Sequence, residues 1–157
     1  DKLPDDQKYE ELDYESLNEV MDRIKMSDPE HNNCIIFDDM TAYLKDYHVE
    51  KLLKELVFNR RHLRTSIFFL CQTYISVPKD LRKLFSNLFI FRVNKNELKL
   101  IFEEQIEDKT KVNLISEITK LVFDRPFQFL FINTDTQRFF KNFDELLFKD
   151  DDDIMSA

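Results

Sequence analysis

The stretch Cys34-Ile35-Ile36-Phe37-Asp38-Asp39 decides how the rest of the chain is read. Four apolar residues between polar flanks suit a strand covered on both faces, as inside a parallel sheet. The two acids stand where that strand ends, and in such sheets ligands gather at the C-terminal strand ends. A first acid there can hold magnesium, usually through water, and a second can orient an attacking water, which is the Walker B pattern. An ordinary acidic strand-to-loop junction looks the same, so the motif settles nothing alone.

Working outward, three more apolar runs read as strands: SIFFLC (66–71), LFIFRV (88–93) and FQFLFI (127–132). Helices fall between them. Ser16 and Glu19, in capping-box relation, open one that carries Leu17, Val20, Met21 and Ile24 and ends near Asp28-Pro29. A second, over 48–60, buries Leu52, Leu53, Leu56 and Val57. PKDLRKLF (78–85) begins with Pro78 in a first-turn position, Asn94 caps a helix over 95–105, and others cover 112–123 and the short FDELL (143–147). Strands alternating with such helices predict an α/β fold, a mainly parallel sheet with helices on both faces. Residues 1–15 read as an acidic flexible segment, 16–148 as the core, and 149–157 as an acidic disordered tail.

At 157 residues and 43% apolar content, the chain is long enough for one domain with a real core. It holds sixteen Phe and twelve Ile but two Ala and no Gly, whereas Gly normally supplies about 7% of residues. Either an AT-rich genome or a Gly-bearing part outside this chain accounts for that, and a start at Asp1 rather than Met fits a trimmed or incomplete chain. Cys34 and Cys71 lie in apolar runs and read as reduced core residues. No run approaches the roughly eighteen apolar residues that cross a bilayer, and no leader precedes a cleavage site. The expectation is a soluble protein of a reducing compartment, with no membrane segment.

The net charge of −8 is uneven. Residues 1–19 hold eight acids and two bases, whereas residues 51–100 hold eleven Lys and Arg against three acids. A basic segment inside an acidic wrapper makes phosphate contact plausible, and a Lys-rich surface would account for it equally.

Gln72 follows the second strand, where an amide can hydrogen-bond a terminal phosphate or its attacking water. Arg82, ten residues on, could place a guanidinium against the transferred phosphoryl group, an effect worth thousands-fold in rate. Arg60, Arg61, His62 and Arg64 surround the end of the second helix. Cations are favourable at a helix C-terminus without any ligand; the functional alternative is contact with DNA phosphates or a neighbouring subunit's nucleotide. His31 and His48 have no partners at metal-ligand spacing, and no Ser or Cys stands in a nucleophile motif.

The order of these pieces is more specific than any one of them. CIIFDDM, then NRRHLRTSIFFLCQTY, then VPKDLRKLFSNLFIFRVNKNELKLIFEEQ, closed by PFQFLFINTDTQRFF, resembles the genome-packaging ATPases of poxviruses and other large DNA viruses, of the FtsK/HerA superfamily of P-loop motors. The resemblance covers residues 16–145. It implies a partial P-loop (RecA/ASCE-like) ATPase core, with Asp38 the magnesium acid, Asp39 the catalytic acid, Gln72 the sensor and Arg82 a candidate arginine finger. Arg61 and His62 match the family's Arg-His pair. The resemblance also implies ATP as substrate with Mg2+, and rings, commonly hexamers, that move double-stranded DNA into the capsid. Further implied partners are a missing N-terminal half or identical subunits, and capsid vertex proteins. The implied location is the virion or a viral factory in the host cytoplasm.

One departure stands against these matches. The family cradles phosphates in a Gly-rich loop ending in Lys-Ser/Thr, and a chain with no Gly cannot contain it, because a Cβ obstructs the close approach of backbone N–H groups. The strand before that loop lies mid-sheet in related folds, between the Gln72 strand and the next in this chain. Its absence implies a gap or a re-paired sheet. Three readings stand: the C-terminal piece of a longer ATPase, a degenerate non-catalytic subunit, or an interaction domain with a fortuitous acid pair.

Overall fold

In the computed structural model, which describes residues 3–148 and 154–156, Asp13 rather than Ser16 opens the first helix, α1 (Tyr14–Met26). The Asp13 carboxylate accepts from the Ser16 backbone N–H at 2.8 Å, while Ser16 Oγ accepts from the Asp13 N–H at 3.1 Å. Ser16 is thus the third-position partner of the capping box. Strand β1 (Asn33–Asp38) follows, then α2 (Tyr47–Asn59), whose first turn is closed by Asp46 accepting from His48 N and Val49 N at 2.8 and 3.0 Å. Strand β2 (Thr65–Leu70) pairs with β1 in parallel, from Asn33 opposite Thr65 to Asp38 opposite Leu70. A single turn, α3 (Lys79–Arg82), comes after Pro78. These elements make up the first of two compact units, Asp1–Leu84. Its core gathers Leu17, Met21 and Ile24 of α1, Val49, Leu52, Leu53, Leu56 and Val57 of α2, and Phe37 of β1.

The second unit, Phe85–Ala157, is antiparallel. Strand β3 (Asn87–Ile90) pairs with β4 (Leu130–Asn133), β4 with β5 (Arg138–Lys141), and β5 with β6 (Asp144–Phe148). The short β7 (Ile154–Ser156) adds to the edge of β6. Helices α4 (Lys95–Gln105) and α5 (Ile115–Val122) separate β3 from β4, and Asn94 caps α4 through Glu97 N at 2.9 Å. Leu88, Ile90, Leu130, Ile132, Phe139 and Leu146 point to one side of this sheet and are buried with Leu98, Ile101 and Phe102 of α4 and Ile118 and Val122 of α5.

The expected mainly parallel sheet with helices on both faces, the partial RecA-like core, does not form. The chain builds a two-stranded parallel sheet and a separate antiparallel one. β3 takes β4 as its antiparallel partner. The outer face of β1 and β2 is uncovered, with Ile36, Phe68 and Leu70 exposed. Cys34 and Cys71 are exposed too, not core residues. FDELL, expected to be helical, belongs to the β5–β6 turn and β6. Of the acidic tail, residues 149–153 and 157 lie outside the described residues, and Ile154–Ser156 is a strand.

Candidate functional site

At the end of β1 the chain turns sharply. Asp39 sits in the left-handed region at φ 54°, a conformation that Asp tolerates better than most residues with a Cβ. Its N–H still donates to Leu70 O at 3.1 Å, which extends the β1–β2 ladder by one bond. The turn carries the Asp39 side chain toward the end of β2, where Gln72 Nε2 donates to Asp39 Oδ2 at 3.1 Å. The acid and the amide singled out from sequence therefore meet across the C-terminal ends of two parallel strands. Both are exposed, so the pair is open to a ligand. Asp38 shares the open face of β1 with Ile36, by the alternation of a strand.

Magnesium is commonly held by one or two carboxylates together with phosphate oxygens, and Asp38 and Asp39 fit that donor set. Among the described residues no group of three or more His, Cys, Asp or Glu could hold a metal by itself. With no Gly, the chain holds no Gly-rich loop of the kind that cradles phosphates.

Arg82 lies elsewhere in the chemistry of the site. It is buried, and its guanidinium donates to the carbonyls of Val77 at 3.1 Å and Tyr74 at 3.4 Å while lying over the Tyr74 ring at 4.6 Å. It thereby clamps the 3-10 turn Tyr74–Ser76 that follows Gln72. Service as an arginine finger would require it to leave both carbonyls. Tyr74 was not singled out from sequence; its only signal was an aromatic residue two positions past Gln72.

The basic cluster is placed at the other end of the sheet. Arg60, Arg61, His62 and Arg64 precede β2, whereas Gln72 follows it. Six strand residues separate the two groups, a span of about 20 Å. Arg60 donates to Val57 O at 2.8 Å, the helix-closing role its position allows. Arg61, His62 and Arg64 are exposed. Within the basic segment, Lys54 is engaged by Glu50 at 2.8 Å and Asp80 at 3.0 Å, and its ammonium holds the Asp80 carboxyl below the usual carboxylate range. A cleft of about 690 Å³ opens beside Tyr14, Tyr43 and His48, and none of Asp38, Asp39 and Gln72 lines it. Of the acids lining the cleft, Asp13 and Asp46 cap helices and Glu15 lies in the first turn of α1.

Comparison with known proteins places the chain among viral packaging ATPase-related proteins. The family model described as Poxvirus A32 protein matches residues 5–142, and the chain belongs to that family. No curated protein and no solved structure matches it. Among the described residues no helix is long and apolar enough to cross a membrane.

Proposed function

We propose that this chain contributes the acid–amide half of an ATP-hydrolysing centre in a motor that moves double-stranded DNA into a viral capsid. A phosphate-binding element on another polypeptide segment completes the centre. The observation that carries this reading is the Gln72–Asp39 hydrogen bond across the ends of two parallel strands. In this reading Asp38 holds Mg2+ with the nucleotide's phosphates, and Asp39 orients the attacking water. Gln72 can donate either to Asp39 or to a phosphate oxygen, so its amide reports whether nucleotide is present. Arg82 keeps the following turn in place. Arg61, His62 and Arg64, about 20 Å away along β2, serve DNA phosphates or the nucleotide of a neighbouring copy in a ring, a hexamer by resemblance.

The test is magnesium-dependent ATP hydrolysis by the chain alone and by the chain joined to a segment bearing a Gly-rich Lys-Ser/Thr loop. Activity confined to the joined protein and abolished by Asp39→Asn is the expected result. A joined protein that binds ring subunits but never turns over ATP would make the chain a non-catalytic member of the assembly.

A further inference from the structure

The cleft in the first unit is built from the starts of α1 and α2 and holds no part of the acid–amide pair. Leu12 and Val49, 7% and 2% exposed, form its floor. Tyr14 and Tyr43 line it with rings that are 48% and 38% exposed, and His48 meets the Tyr14 ring edge-on at 6.3 Å. Asp13, Glu15 and Asp46 supply its charge, and among the described residues no Lys or Arg lines it. We propose that this cleft docks an arginine-bearing segment of a basic partner protein, with a guanidinium against its carboxylates and tyrosine rings.

Charge excludes the usual ligand of a helix start. Backbone N–H groups there attract phosphate, but in this cleft the caps already take them: Asp13 accepts from Ser16 N, and Asp46 from His48 N and Val49 N. What remains is negative. Both bonds to Asp46 fall on Oδ1, and neither Asp46 Oδ2 nor the Glu15 carboxylate has a partner among the described residues. The chain leading into the cleft is acidic as well, with eight acids against two bases over residues 1–19. The local field therefore draws cations and repels nucleotides and DNA.

Among cations, the lining selects arginine. Its methylene stem can lie on Leu12, Ala42 and Val49 while the charged head stays at the acidic rim. The planar guanidinium presents five donors in a fork and also stacks on aromatic faces, whereas an ammonium is a compact, strongly hydrated point charge. A metal ion is a poorer fit, since no three acids or histidines among the described residues converge on one point. A free small molecule usually has most of its surface buried by its pocket. An open cleft covers one side chain and leaves the flanking backbone outside, which suits a segment of polypeptide.

The experiment is fluorescence anisotropy of the full chain with a labelled peptide of alternating arginine and alanine at physiological salt. Saturable binding is expected, weakened about tenfold by Glu15→Lys and about threefold by Tyr43→Leu, with unchanged circular dichroism in both variants. The same peptide with lysine for arginine should bind about threefold more weakly. Glu30→Lys makes the same charge change at an exposed acid outside the cleft and should leave binding intact. No binding, or an equal loss in Glu30→Lys, overturns the inference, the latter by showing diffuse attraction to an acidic surface. Spermine that displaces the peptide at equal concentration overturns it in favour of a small polyamine. Self-association of the chain that Glu15→Lys abolishes overturns it in favour of a second copy.

Discussion

Gln72 Nε2 donates to Asp39 Oδ2 at 3.1 Å, which joins two residues 33 positions apart at the ends of neighbouring parallel strands. An amide facing a carboxylate is neutral against negative. Gln72→Glu replaces this with two like charges. That variant should lose about 1 kcal/mol or less at neutral pH, because both side chains are exposed and solvent screens the pair. The gap from the wild type should narrow with added salt, which screens the two like charges. Gln72→Met, which only removes the donor, should show a gap that salt does not change. Urea midpoints for the three proteins at low and high salt measure this, and a Gln72→Glu gap insensitive to salt would mean that the two side chains do not interact in solution.

The local parts of this site were legible, and the long-range ones were not. Apolar runs placed β1 and β2 within a residue or two, and Asn94 fixed the start of α4, because caps and buried strands leave their signal in adjacent residues. The choice of strand partner leaves no such signal. β3 pairs with β4 across some forty residues, and nothing in LFIFRV separates an antiparallel edge from a central parallel strand. The absence of Gly hid the turns as well. The β5–β6 turn is made at Asn142, φ 54°, and Phe127, expected to open the last strand, adopts φ 64°, with β4 beginning at Leu130. With Asn as the only turn signal, RFFKNFDELLF did not read as a hairpin.

Those left-handed positions carry a prediction of their own. Arg64 and Phe127, at φ 46° and 64°, hold a Cβ where Gly would be relaxed. Left-handed geometry costs such residues about 1–2 kcal/mol, and the greater freedom of Gly in the unfolded chain returns part of that. Arg64→Gly and Phe127→Gly should each therefore stabilise by about 0.5–1 kcal/mol. Gln137→Gly should do the opposite despite a similar φ of 56°. The Gln137 side chain accepts from Glu107 N at 2.9 Å and donates to Thr134 O at 2.7 Å and Gln105 O at 3.1 Å. Thermal melts of the three variants decide it, and a uniform response would show that the backbone term alone governs these sites.

Acid should loosen the antiparallel unit. The Arg138 guanidinium holds the Glu145 carboxyl below its ordinary value, and the Lys141 ammonium does the same for Asp124 at 2.9 Å. A carboxylate whose folded value is depressed contributes stability that is fully present above its unfolded value, about 4, and is lost as the pH falls through the folded value. Denaturation midpoints should hold from neutral pH down to about 5 and then decline. Glu145→Gln should lower the plateau slightly and make the decline shallower, and added salt should mimic it, since both pairs are exposed to screening. An unchanged acid limb in Glu145→Gln would assign the decline to other carboxylates.

Arg82 separates a structural from a chemical role most sharply. Its guanidinium serves two carbonyls and one ring in a buried place, so Arg82→Met leaves the Val77 and Tyr74 carbonyls without that donor. The expected loss is about 1–2 kcal/mol, from the charge-assisted bond to Val77 O and the cation–π contact, since Tyr74 O keeps its bond from Val77 N. Arg82→Lys should recover only part of it, because an ammonium cannot span two carbonyls as a planar fork does. The effect should be local. The N–H groups of Ser76 and Val77, which donate to Thr73 O and Tyr74 O at 3.3 Å, should exchange with solvent faster in Arg82→Met. The side-chain amide of Gln72, just before that turn, should shift in the nuclear magnetic resonance spectrum. Wild-type stability and exchange in Arg82→Met would instead free the guanidinium from the turn and return it to the candidates for phosphoryl-group stabilisation.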